Sequence, residues 1–129
     1  MKKCMFIVFL ILGVVGCNQQ DVVDFNSDST LTVKERVENN DDFQLINEVE
    51  DEDKVRMIID IFNNVNWDTD THRDMPLPHY RLNNYDIWVT PSGDMLEIIN
   101  QSNDYYVRLS KENSEVLFEI ITGKELKSR

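Results

Sequence analysis

Apolar residues in this chain repeat with two different periods in successive blocks, and that alone restricts it to a mixed fold. Leu31, Val33 and Val37 alternate with polar neighbours, as do Phe43, Leu45 and Val49 beyond the turn cluster Asn39-Asn40-Asp41-Asp42. Period two puts one side of a strand into a core, and Asn40-Asp41 suits a hairpin between two such strands. The period then changes. Val55, Ile58, Ile59, Phe62 and Val65 recur at helical spacing, which predicts a helix of about fourteen residues ending near 63–66. Asp51 supplies its N-cap, and Glu52 and Asp53 suit the positive end of the helix dipole.

Residues 67–78 show no period and hold two of the three prolines, so they read as a loop, closing on a short edge strand at 79–82. Tyr85, Ile87 and Val89 then alternate, with Trp88 on the other side; Pro91-Ser92-Gly93-Asp94 is a turn, and residues 95–99 continue the strand pattern. Gln101-Ser102-Asn103-Asp104 is another turn, followed by Tyr105, Val107 and Leu109. Ser110 caps a closing helix with the apolar face Val116, Leu117, Ile120 and Ile121, stopped by Gly123. The expected order is β-β-α-(β)-β-β-β-α. That is an α+β fold: an antiparallel sheet with two helices packed on one face.

The start of the chain follows a different logic. Lys2 and Lys3 precede an apolar run over residues 5–15, interrupted only by Gly13. The run is too short to span a bilayer, which takes about 20 apolar residues. A charged start and a short apolar stretch are the parts of a secretory signal. The run ends at Val14-Val15-Gly16-Cys17, and Asn18-Gln19-Gln20-Asp21 is polar. This resembles the lipobox of bacterial lipoproteins, in which a diacylglyceryl group is attached to the cysteine thiol and the leader is cleaved just before it. The resemblance implies a signal over residues 1–16, Cys17 as the lipid attachment site, a flexible tether over 17–29, and one domain over 30–129. Two acyl chains give a stable anchor where one does not.

Only two cysteines are present, Cys4 and Cys17. Loss of the leader and acylation of Cys17 leave the domain without a thiol, so its stability rests on a packed core. Of the 129 residues, 113 then remain, enough to bury roughly two-thirds of the unfolded surface. The leader carries two of the thirteen basic residues and no acid, so its removal takes the net charge from −11 to −13. Such a surface is repelled by nucleic acid and by anionic lipid headgroups, and it permits a basic partner or divalent cations.

A wider resemblance covers nearly the whole chain. The lipobox, the short acidic tether, the acid-capped helix closing on Val65-Asn66-Trp67, the strand Tyr85-Asp86-Ile87-Trp88, the glycine-containing hairpin and the Ser-capped final helix together resemble the YhfM-like small lipoproteins of Gram-positive bacilli. That family has no established enzymatic activity. The resemblance therefore implies fold and location, and it carries over no catalytic residue.

The residues themselves offer few chemical constellations. Asp68-Thr69-Asp70-Thr71-His72-Arg73-Asp74 alternates oxygen donors, but against the EF-hand pattern His72 takes the fifth position, Arg73 replaces the glycine, and His79 stands where a glutamate is needed. His72 and His79 lack cysteine partners and zinc spacing. The acidic stretch Glu48 and Glu50–Asp53 is accounted for by helix-start chemistry, although a cation patch is its alternative. Ser92, Ser102 and Ser110 fall in turns or caps, and the four glycines form no phosphate-binding loop. No cofactor or metal is expected. Aromatic residues gather in the second half, and Trp67, Trp88 and Tyr106 are candidates for an exposed ligand-binding platform. The alternative is that these rings cover the sheet or pack under the 67–78 loop.

The expected function is a non-enzymatic binding or accessory module on the outer face of a Gram-positive cell membrane, held there by its lipid. It would present a sheet face or the 67–78 loop to an envelope protein or cell-wall ligand. An envelope hydrolase or metal-dependent enzyme is one alternative, and an acidic inhibitor or immunity-type module is another.

Overall fold

A computed structural model describes residues 23, 25–38, 41–69 and 74–128. Six antiparallel strands form one sheet: β1 (Leu31–Arg36), β2 (Phe43–Val49), β3 (Tyr80–Leu82), β4 (Tyr85–Val89), β5 (Leu96–Asn100) and β6 (Tyr106–Arg108). The helices are α1 (Glu52–Asn63), between β2 and β3, and α2 (Lys111–Thr122), after β6. The α+β class and the order of elements are as the periodicity predicts.

Across the sheet the order is β2-β1-β3-β4-β5-β6. Strand β1 therefore lies between β2 and β3, and β3 is interior rather than the expected edge strand, because the chain returns beside β1 after α1 and the long loop. The β1–β2 register shifts between Val33 and Lys34: Val33 faces Asn47 and Lys34 faces Leu45, which leaves Ile46 as the extra residue of a β-bulge.

Helix α1 begins where its sequence provides a cap. The Asp51 carboxylate accepts from the Asp53 and Lys54 amides, at 2.9 and 3.4 Å. Arg56 answers the first-turn acids, 3.3 Å from Glu52 and 3.4 Å from Asp53. Helix α2 is capped by Ser110, whose hydroxyl accepts from the Asn113 amide. It ends at Gly123, whose φ of +73° is left-handed and favours glycine. The turn before β5 is tied to α2 by Asp94, which lies 3.2 Å from Lys111. The Ser92 hydroxyl first, then Lys111, lowers the Asp94 carboxyl below its usual range.

Both helices cover the same face. Leu31, Val33, Leu82, Tyr85, Ile87, Leu96 and Ile98 from the strands meet Val55, Ile58, Phe62, Leu117 and Ile121 from the helices, all without solvent exposure. Two helix faces are rotated slightly from the expected ones. Ile61 joins the α1 core where Ile59 is only partly buried, and Phe118 joins the α2 core beside partly buried Val116 and Ile120. The reason for Phe118 is Tyr80, against which it packs edge-on at 5.7 Å. Buried Ser114 accepts the Leu96 amide at 2.9 Å and so links α2 to the edge of β5.

One boundary differs from expectation. Residues 17–29 read as a tether, yet Val23 is buried in the core and Phe25 meets Tyr85 edge-on at 6.2 Å. Apolar side chains in a polar neighbourhood find a hydrophobic slot against α1, beside Arg56, Ile59 and Asn63. Packing on the core thus includes Val23 and Phe25, ahead of Thr30.

Candidate functional site

The face of the sheet opposite the helices has two unlike halves. Directly opposed residues in antiparallel strands share a face. The registers therefore align Leu45, Lys34, Arg81, Asp86, Ile99 and Tyr106 in one row across five boundaries between strands. A neighbouring row brings together Trp88, Glu97 and Arg108.

The described parts of the 67–78 loop contact β4 and β6 in one of these halves. The loop leaves α1 on the helix side, where Trp67 donates its indole N–H to the Phe62 carbonyl at 2.8 Å and packs on Phe62 and Tyr85. Asp68 then forms a two-way main-chain bridge with Tyr106, at 2.7 and 3.0 Å, along the outer edge of β6. At Pro76 the chain lies over the opposite face, where its carbonyl accepts from the Trp88 indole at 2.8 Å. The described ends of the loop thus meet the sheet at the edge of β6 and at Trp88.

This geometry corrects the exposed platform. Trp88 and Tyr106 are only 5 % and 6 % exposed, and Trp67 lies on the other side of the sheet. The three rings form no common surface: Trp88 and Tyr106 are buried on one face, and Trp67 packs partly buried against Phe62 and Tyr85 on the other. Polar groups on this face are matched to one another. The Tyr106 hydroxyl donates to Glu97, whose same oxygen lies 3.8 Å from Arg108. Asp86 accepts from Arg81 at 3.0 Å and from Gln101.

The other half, over β1, β2 and β3, is open. Lys34 directly opposes both Leu45 and Arg81. Arg36 opposes Phe43, and the Arg81 guanidinium lies 4.1 Å above the Phe43 ring. Leu45 is 54 % exposed. Lys34 and Arg36 make no ion pair with any described residue. A cationic strip with apolar flanks therefore crosses this half of the sheet. Sequence reading missed it because Lys34 and Arg81 are far apart in the chain and meet only through the β1–β3 pairing.

On the helix side of the same strands, Glu35 opposes Tyr80. Burial, and then the charge and hydrogen bond of Glu35, push the Tyr80 hydroxyl up to about 12. His79, which follows the Asp68–Asp74 run, accepts the Val89 amide on Nδ1 at 3.0 Å and so closes the start of β3 onto the end of β4. Asp70–Arg73 of that run lie outside the described residues, as does Cys17. Among the described residues, no group of three histidines, cysteines or carboxylates is placed to hold a metal ion. In the acidic stretch, Asp51 is spent on the cap and Glu52 and Asp53 on Arg56. A groove of about 350 Å³ runs between the helices, lined by Lys54, Met57, Val116, Glu119, Ile120 and Gly123. No helix among the described residues is long and apolar enough to cross a membrane.

No family model, no curated protein and no solved structure matches the chain.

Proposed function

We propose that this chain is a membrane-anchored extracytoplasmic lipoprotein whose folded domain is a non-enzymatic binding module. The anchor rests on Val14-Val15-Gly16-Cys17 at the end of a short apolar leader, and on the resemblance to the YhfM-like lipoproteins. The binding role rests on one observation: Trp88 and Tyr106 are buried on one half of the sheet's free face, while the other half presents Lys34 and Arg36, which make no ion pair with a described residue, beside an exposed leucine. A flat surface of that kind suits recognition of a large partner.

The anchor is tested by mass spectrometry of the chain recovered from a Gram-positive host. The expected product begins at Cys17 and carries a diacylglyceryl group, and Cys17→Ala leaves the protein without it. An unmodified Cys17, or a leader still attached, would overturn the assignment.

A further inference from the structure

We propose that the open half of the sheet, built on Lys34, Arg36 and Arg81 with Phe43 and Leu45 at its flank, docks an acidic polypeptide segment carrying interspersed apolar side chains. This deepens the binding reading above and rests on it.

The first argument is a cost that the fold does not explain. Lys34 and Arg81 stand directly opposite each other on β1 and β3, and like charges in that relation destabilise a sheet. The chain has 24 acidic residues and only 13 basic ones, so an acidic neighbour for Lys34 was the commoner choice. Instead Lys34 and Arg36 lack any ion pair with a described residue, and Arg81 alone is matched, by Asp86. The second argument is preorganisation. Arg81 is held between the Asp86 carboxylate and the Phe43 ring, which fixes a planar donor set suited to carboxylates. The third is the apolar flank. Leu45, opposite Lys34 and 54 % exposed, gains from a partner only if that partner brings apolar groups of its own, which a bare phosphate polymer lacks.

A lipid surface is the less suited occupant. Val23 and Phe25 pack on the helix side. From Cys17 to Val23 are six residue steps, at most about 20 Å when fully extended. The segment next to the anchor thus packs on the face opposite the cationic strip.

The test is a titration of the full-length chain, held in phosphatidylcholine nanodiscs, against a labelled peptide of alternating glutamate and leucine. Fluorescence anisotropy reads binding, and the mass of Cys17 is read on the same sample so that failure of the anchor is seen separately. Wild type is expected to bind. The double variant Lys34→Glu/Arg36→Glu is expected to bind at least tenfold more weakly, while Lys124→Glu/Lys127→Glu binds as wild type. Lys34→Glu alone is expected to raise the melting temperature, because it turns a like-charge pair into an ion pair with Arg81, while still weakening binding. The proposal falls if the peptide does not bind, or if both double variants weaken it equally. It falls equally if inorganic polyphosphate or phosphatidylglycerol nanodiscs bind as tightly as the peptide, or if Lys34→Glu lowers the melting temperature.

Discussion

The indole N–H of Trp88 donates to the main-chain oxygen of Pro76 at 2.8 Å, fastening the 67–78 loop to the sheet. An exposed tryptophan could be replaced almost without effect on stability, since surface substitutions stay within about 0.5 kcal/mol. Trp88→Phe is expected instead to cost about 2 kcal/mol, from the lost hydrogen bond and the smaller ring. Denaturant unfolding measures it, and a loss below the surface range would mean that the loop is not fastened there.

Tyr106 is held on both sides. Its main chain bridges to Asp68 and its hydroxyl donates to Glu97, whose side chain is 13 % exposed. Tyr106→Phe leaves that carboxylate with Arg108 alone, at 3.8 Å. The expected loss is about 1–3 kcal/mol. Replacing Glu97 by Gln in the same background should recover part of it, because a neutral amide costs less to bury than a charge. A thermal melt of the two variants decides the matter.

Ser114 shows the same principle in the core. Its hydroxyl is the acceptor for the Leu96 amide, and Ser114→Ala orphans a buried donor. A destabilisation of about 1–3 kcal/mol is expected, together with faster hydrogen exchange at the Leu96 amide. Unchanged exchange there would argue that α2 and β5 are joined by other contacts.

Tyr80 couples the stability of the fold to alkaline pH. Its hydroxyl is raised from 10.0 to about 12, by burial first and then by Glu35. The folded chain therefore holds this proton more tightly than the unfolded chain does. The stability contribution is fully present below pH 10 and is lost as the pH rises through about 12. Glu35→Gln should lower the hydroxyl toward 10 without reaching it, because burial remains. Subtracting the phenolate absorbance titration of Tyr80→Phe from that of each parent isolates this group, and a Tyr80 midpoint unmoved by Glu35→Gln would refute the coupling.

Element order was legible in the sequence because each element carries its own short-range period, and caps such as Asp51 and Ser110 act over three or four residues. What depends on distant partners was not legible. The placement of β3 beside β1 sets Lys34 against Arg81, and no local pattern announces a pairing made after a helix and a long loop. Phe118 enters the core because Tyr80 lies beneath it, a fact of the sheet rather than of the helix. Val23 and Phe25 resembled linker residues because their neighbours are polar. The aromatic rings were identified correctly as a concentration, but their surroundings came from a loop whose path crosses from one face to the other. The candidate surface itself was out of reach, since its cations come from strands separated in the chain.

The extra residue at Ile46 has a consequence for molecules held side by side. Strand β2 is a sheet edge seven residues long, with Leu45 and Ile46 facing water, and a straight edge of that kind would template a neighbouring copy. The bulge kinks it midway and breaks the even spacing of its outward amides and carbonyls. An edge interrupted in this way is a poorer template for a continuous ladder between crowded copies.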